Sequence, residues 1–498
     1  MSKDFLYPGQ SELDGVLIVG SSGMRKEVSA IVAEFNLYQN LDSPHMSGSI
    51  LLNDGDDVSS SLPLMGNERL MFSLRTPGRD PIDYNVYHAM IYNVKKRTNQ
   101  TNSSHTVLCN FTTLDNFKNV HTKISKAYNG EISEIVKKLL RTDKDGIESP
   151  KLLNIETTKG IRKFVFPNIS PFAAINMLKE EAIAAEGNSA HYLFYENPEG
   201  YHFRSLNSLL GKSKELSTKS KGTYIYHHPS SATAGASGRQ NPDASMETIL
   251  NWEIHDNTNT FLNFKTGMYS STLLTHDIFN KNVQKFEYDY EAKYKSRNSA
   301  NMASHSHGPI VSTLKQSNGK SLTEQYQAKT FLHPTGKGLF VKTEEEKDNA
   351  IHNNVNDWLQ ESIARYVERI SHFILKIETY GNTDLMVGHI INIVIPKNTS
   401  IAESGTESID RFLSGRYVVT HINHLNQPSK KLHTMHMYVM KDSLGNPPTQ
   451  QDTKYQDPPI AKIDEGLSDV RIVDPYAGVY IADSGSLTRR GPKEWNHR

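Results

Sequence analysis

Only one of the 498 residues is a cysteine, Cys109. A lone thiol excludes a disulfide framework and a cysteine-built zinc module. Neither sign of charge is in excess, because 55 Lys and Arg balance 55 Asp and Glu. A nucleic-acid coat or a polybasic membrane binder needs a basic surplus, so those classes fall away. No apolar run approaches the ~20 residues that cross a bilayer. The first ten residues, Met1–Gln10, have neither the basic start nor the apolar core of a secretion signal. The expectation is a soluble chain made without a signal peptide. Apolar residues are scarce too, at 37% of the chain, with a mean hydropathy of −0.55. At ~100–200 residues per domain, the length suggests about three or four domains. Small cores, long loops and burial completed against partner subunits would account for the low apolar content.

What is present begins as β-structure. Val16–Val19, Val28–Leu37, Ser47–Leu52, Arg69–Leu74, Tyr84–Val94 and Thr106–Thr112 are short runs rich in β-branched and aromatic residues. Turn clusters such as Asn53-Asp54-Gly55 and Thr76-Pro77-Gly78 separate them. Residues 1–115 therefore read as a small sandwich or barrel. From Asp115 the period changes. Ile132, Ile135, Val136, Leu139 and Leu140 make one face of a helix. A second helix starts at Ser170 as N-cap with Pro171 first, and runs to Gly187. A hairpin follows, Tyr192–Tyr195 and Tyr201–Leu206, around Asn197-Pro198-Glu199-Gly200. Residues 116–222 are an α+β module whose end lies in the Ser/Gly/Ala-rich stretch Lys212–Ser245, read as a loop. Strand patterns return at Thr248–His255, Thr260–Phe264 and Val283–Tyr294. Residues 296–321 read as another loop. One long helix spans Ile351–Ile370, with Val355, Trp358, Leu359, Ile363, Tyr366 and Val367 in its stripe. Strands at Phe373–Tyr380, Gly388–Ile395, Arg416–Leu425 and Leu432–Met440 complete the β pattern. The division is thus 1–115 β, 116–222 α+β, 223–282 β, 283–367 an inserted module, 368–445 β completed, and 446–498 a Pro-rich arm.

Catalytic constellations are hard to find. No G-x-S-x-G elbow exists. Asn318-Gly319-Lys320-Ser321 ends like a phosphate loop, yet Leu314 stands where a glycine is required. Glu180-Glu181 are adjacent on a helix, point apart and face solvent, and Asp54, Asp56 and Asp57 surround a turn glycine. His421-x-x-His424 and His433-x-x-His436 place each pair on opposite faces of a strand, so neither pair chelates one ion. A hairpin turning at Pro428-Ser429 would instead set His421 opposite His436 and His424 opposite His433. Without a carboxylate nearby to complete a ligand set, ordinary buried or solvated histidines are the simpler reading. His305-Ser306-His307 is a weaker candidate. No catalytic, cofactor-binding or metal residue is assigned, no cofactor is expected, and the chain reads as a non-enzyme.

Several stretches do resemble a known family, the central baseplate hub proteins of contractile-tailed phages of the T-even type. Asn36–Asn40 with Met46–Leu52 is similar to that family's strand–loop–strand, and Met65-Gly66-Asn67-Glu68 follows it. Thr113–Leu140, Phe166–Leu206, Val387–Pro396 and Arg416–Met440 resemble its later passages, so the similarity spans roughly 1–445. The insertion around 283–367 and the tail after 446 look longer than the family norm. The resemblance implies a multidomain β and α+β fold: two tail-tube-like antiparallel β-barrel domains with inserted α+β modules. It implies a homotrimer that adapts the sixfold tail tube to a separate threefold spike protein. That trimer would line the channel through which DNA passes as cargo and would contact other baseplate proteins, without stable membrane insertion. The location implied is the virion tail baseplate, after synthesis in the host cytoplasm. Two other classes remain open, a cell-wall-polysaccharide-acting enzyme and a glycan-binding β protein of the same particle.

Overall fold

The computed structural model describes residues 7–55, 62, 64–77, 87–101, 104–142, 146–187, 189–211, 220–226, 246–278, 281–294, 297–300, 319, 328–335, 355–371, 373–397, 409–410, 412–443, 471–474 and 478–481. Residues 1–445 form one compact unit and 446–498 a second.

The β-rich start folds as its alternation dictates. Its strands are β1 (Glu12–Val19), β2 (Arg25–Glu27), β3 (Val32–Asn40), β4 (Ser47–Asp54), β5 (Arg69–Arg75), β6 (Tyr87–Thr101) and β7 (Ser104–Thr113). They pair antiparallel in the order β3-β4-β7-β6-β5-β1-β2. In β5, Leu70, Phe72 and Leu74 are buried while their neighbours are not, the mark of a sheet with one covered face. Phe35 sits 4.7 Å from Phe72 and 5.4 Å from Phe111, ring centre to ring centre. Gly48 permits this packing, because a Cβ there would lie 2.2 Å from the Phe111 ring.

The α+β module contains α1 (Leu114–His121), β8 (Ile124–Glu131), α2 (Ile132–Arg141), β9 (Leu152–Ile155), β10 (Ile161–Ile169), α3 (Pro171–Glu181), β11 (Tyr192–Asn197), β12 (Gly200–Ser205) and α4 (Leu206–Leu210). Helix α2 buries Ile132, Ile135, Val136, Leu139 and Leu140, the five residues of its stripe. Helix α3 departs from expectation at both ends. The Ser170 side chain makes no cap; Asn119 of α1 accepts the Phe172 N–H at 2.8 Å instead. The helix ends at Glu181 rather than near Gly187, because Ala184 bridges to Thr158 and that backbone is paired elsewhere.

The second half contains β13 (Ser220–Tyr226), β14 (Thr248–Asp256), α5 (Thr260–Thr266), β15 (Ser270–Asp277), β16 (Asn282–Asp289), α6 (Tyr290–Tyr294), β17 (Thr330–Thr335), α7 (Val355–Ser371), β18 (Phe373–Tyr380), β19 (Ile390–Val394), β20 (Gly415–Gln427) and β21 (Leu432–Lys441). Six of them close a ring, β13-β14-β18-β21-β20-β19 and back to β13. A closed barrel leaves no free edge. Around Tyr417, Ile377, Val418 and Met437 it holds its own core, separate from that of the first half. The chain is thus a mostly β protein with two β units and mixed modules between their strands.

Three readings of this half are corrected. The closing strand β13 lies inside the stretch read as a loop, where Gly222 and the polar Ser220-Lys221 obscure the strand pattern. Thr260–Phe264 is helical, because the Asn259 side chain caps the Leu262 N–H at 3.0 Å and Gly267, at φ 84°, ends the helix. Strand β15 falls within 223–282 but pairs with β16 and β17 in a separate sheet, so the barrel's first part stops at Asp256. Of the long helix, Val355–Ser371 is described. Within 446–498, β22 (Arg471–Asp474) and β23 (Gly478–Ile481) pair antiparallel; the rest of the expected arm lies outside the described residues.

Candidate functional site at the seam of the two β units

Strands β3 and β20 pair antiparallel from Asn40↔His421 to Phe35↔Asn426, which joins both β units into one sheet of thirteen strands. A buried polar chain runs through this seam. The Val387 N–H donates to Gln39 Oε1 at 3.3 Å, so the Gln39 amide donates to His424 Nε2 at 3.1 Å. His424 must then carry its proton on Nδ1, which donates to His433 Nε2 at 3.2 Å. Burial lowers the His424 pKa to about 4. Burial and the neighbouring His424 push His433 well below its usual value. Both rings are therefore neutral at pH 7, as the hydrogen-bond direction requires. Gly381 makes room for His433, since a Cβ on it would lie 2.0 Å from the ring.

Further latches surround the chain. The Gly381 N–H donates to the His433 carbonyl at 2.8 Å, and the His433 N–H to the Gly9 carbonyl at 2.9 Å. The N–H groups of Thr76 and Thr383 each donate to the other's Oγ1, at 3.0 and 3.1 Å. Asn426 Nδ2 donates to Ser11 Oγ at 2.6 Å. Buried hydrogen bonds of this kind contribute about 1 kcal/mol each and cost more when one partner is lost. The seam is built to hold the two units in one relative position.

The expected histidine pairing is shifted. The β20–β21 turn consists of the 3-10 segment Pro428–Lys430 followed by Lys431 at φ 51°, so Gln427 faces Leu432. His424 opposes Met435, His433 opposes Asn426, His421 opposes Tyr438 and His436 opposes Asn423. A shift of two residues preserves the faces, which is why His424 and His433 still meet as diagonal neighbours. His421 instead packs its half-buried ring against Tyr438. Among the described residues no three His, Cys, Asp or Glu side chains gather into a metal-holding group.

Other candidates are dispersed. Glu180 is exposed, but Glu181 does not share its solvated role: burial raises its pKa, and Arg162 opposes that rise. Asp54 is buried at the end of β4 rather than lying in an open turn. Asp56, Asp57, His305, His307, Asn318, Lys320 and Ser321 lie outside the described residues.

One buried cluster carries no signal in the sequence. Lys151 bridges the carboxylates of Glu196 and Asp115, the latter at 3.3 Å. Glu196 also accepts the Met46 N–H and the Thr113 hydroxyl, each at 3.0 Å. The α+β module is thereby bonded to the residue that leads into β4 and to the end of β7. Residues 36, 45 and 81 positions apart form this cluster, and no local spacing could have revealed it.

Comparison with known proteins bears on this architecture. Over 413 residues the chain is 22% identical to the probable baseplate hub protein gp334 of Vibrio phage KVP40, covering 82% of this chain and 89% of that protein. This chain is a relative of a phage baseplate hub protein. The resemblance read from residues 1–445 is borne out in that respect. No family model matches the chain. Among solved structures, it is similar to the 43 kDa tail protein of prophage MuSo2 from Shewanella oneidensis, at 7% identity and a TM-score of 0.47, covering 86% of this chain and 98% of that one. It is also similar to a tail protein from Neisseria meningitidis MC58, at 10% identity and a TM-score of 0.46, covering 85% and 95%.

Proposed function

We propose that this chain is a structural baseplate hub protein of a contractile phage tail, located in the virion. It would act as a homotrimeric adaptor between the sixfold tail tube and a threefold spike carried on a separate chain. The observation supporting this reading is the β3–β20 seam, which fixes two β units side by side within one chain. Three copies would present six such units, turning threefold into near-sixfold symmetry without a second protein. The balanced charge suits a channel wall past which DNA slides, because an unpaired basic lining would hold phosphate electrostatically. No catalytic step is needed for this role, and its specific contacts would be with tail tube, spike and other baseplate proteins.

Purified protein incubated with tail tube protein and with spike protein tests the adaptor. The reading predicts that each binds separately and that both bind together in a ternary complex with three hub copies. A hub chain that stays monomeric and binds neither would sink it. Cell-wall turnover lost on mutation of a carboxylate pair would instead favour the enzyme reading.

A further inference from the structure

A cavity of about 510 Å³ opens between the end of β3, helix α3, the start of β11 and helix α7, and the seam contacts make no use of it. One wall is charged. The Arg369 guanidinium, 6% exposed, donates through Nη1 to Asp42 at 2.6 Å and through Nε to His191 Nε2 at 3.4 Å. Lys179 lines the same cavity, yet makes no hydrogen bond or ion pair among the described residues. Burial pulls its ammonium pKa down, Asp42 and Glu180 support the charge through space, and Arg369 opposes it. An ammonium partly removed from water, with no carboxylate in contact, is an ion pair lacking one half.

Helix α7, which carries Arg369, also gives the cavity an apolar part with Trp358, Leu359 and Ile363. Large side chains stay exposed nearby, Tyr366 at 48% and Ile370 at 41% on α7 and Met177 at 47% on α3. Tyr366 and Ile370 are one helical turn apart, and Met177 lies one turn before the lining residue Glu180. Exposed apolar groups beside a partly desolvated cation form the pattern of an anchor pocket at a protein interface.

We propose that this cavity is a docking site for a partner polypeptide, receiving an acidic side chain on Lys179 and an adjacent apolar side chain against Trp358 and Tyr366. A single carboxylate fits better than a phosphate. Arg369 takes up Asp42, and the exposed Glu180 would repel a dianion more than a monoanion, while Lys179 has no carboxylate in contact. The volume lies in the range of sites that enclose a small ligand, enough for about two residues of a chain. The inference does not depend on the hub reading and stands or falls on binding alone.

The test uses the full chain, the dipeptide probes N-acetyl-Glu-Leu-amide and N-acetyl-Gln-Leu-amide, and sodium acetate. Binding is followed by calorimetry and by fluorescence of Trp358, with Trp358→Phe as the optical control. The acidic dipeptide should saturate the protein and bind about tenfold tighter than its glutamine counterpart, with acetate weaker than either. Lys179→Gln should abolish that preference while leaving the thermal midpoint unchanged, and Ser362→Phe should fill the cavity and block both dipeptides. Absence of saturable binding, equal affinity for the two dipeptides, or a preference that survives Lys179→Gln would overturn the proposal. Acetate binding as tightly as the acidic dipeptide would also overturn it, by showing a free-anion site instead of a polypeptide one.

Discussion

The His433 ring occupies the space beside Gly381 that any larger residue would need. Gly381→Ala should therefore destabilise the protein by about 1–3 kcal/mol, the usual cost of overpacking a rigid core. Combining it with His433→Ala should recover part of that loss in denaturant titrations, since the two sites are coupled. The same region sets an acid response. Buried His424 and half-buried His389 have pKa values near 4, and buried His202 near 3, against 6.5 unperturbed, all chiefly through desolvation. The unfolded chain thus takes up protons first. The stabilisation linked to these rings is fully present above pH 6.5 and is lost as the pH falls towards 4. Asp442 acts in the opposite sense, since burial raises its pKa from 3.8 to about 6. Its burial cost is felt above that pH and relieved below it. Unfolding free energy should fall between pH 6.5 and 4, and fall more steeply in Asp442→Asn, where the compensating proton uptake is gone. A flat profile in urea melts across that range would contradict the assignment. At this scale little was legible beforehand. The four histidines were visible and the proximity of His424 to His433 was expected, but their register depended on the Pro428–Lys431 turn. Lys151, Glu196 and Asp115 are far apart in sequence, and burial alone gives them their importance. Lys151→Met should cost about 3–5 kcal/mol by stranding two carboxylates.

Elements with a strong period were readable, and those shaped by their ends or by distant partners were not. The α2 stripe and the strands β5, β18 and β21 fold where their apolar spacing places them. Helix α5 reads as a strand because Thr260 and Phe261 favour strands, whereas Asn259 and Gly267 supply a helix start and stop. Asn259→Ala should lower stability by about 0.5–2 kcal/mol, detectable in thermal melts. Strand β13 was missed for a different reason. It is held by parallel neighbours on both sides, β14 and β19, and its short polar sequence acquires a role only when the ring closes. The segment 446–498 poses a separate question. Most of it lies outside the described residues; on sequence alone its prolines would not suit long helices or central strands, while Ile460, Ile463, Val470, Ile472 and Val473 are many for a solvated linker. An arm that clasps a neighbouring subunit would use them. Deleting 446–498 should leave the melting profile of residues 1–445 intact and weaken particle assembly, as read by sedimentation of baseplates. Equal assembly by the truncated chain would rule the arm out.

For the whole molecule, the two β units are continuous through β3 and β20 but keep separate apolar cores. One chain can then behave as a rigid pair rather than as two tethered domains, as the proposed adaptor role would require. Low apolar content and zero net charge, both evident in the composition, would suit the proposed trimer, whose subunits would complete their burial in the assembly and line a path for a polyanion. In the proposed role, three copies of this pair would make the functional unit. Sedimentation equilibrium of the purified full chain tests it most directly. The account predicts a species of about 170 kDa, three times the 56.1 kDa chain. A single species at the mass of one chain, persisting at the highest concentrations and in the presence of spike protein, would contradict it.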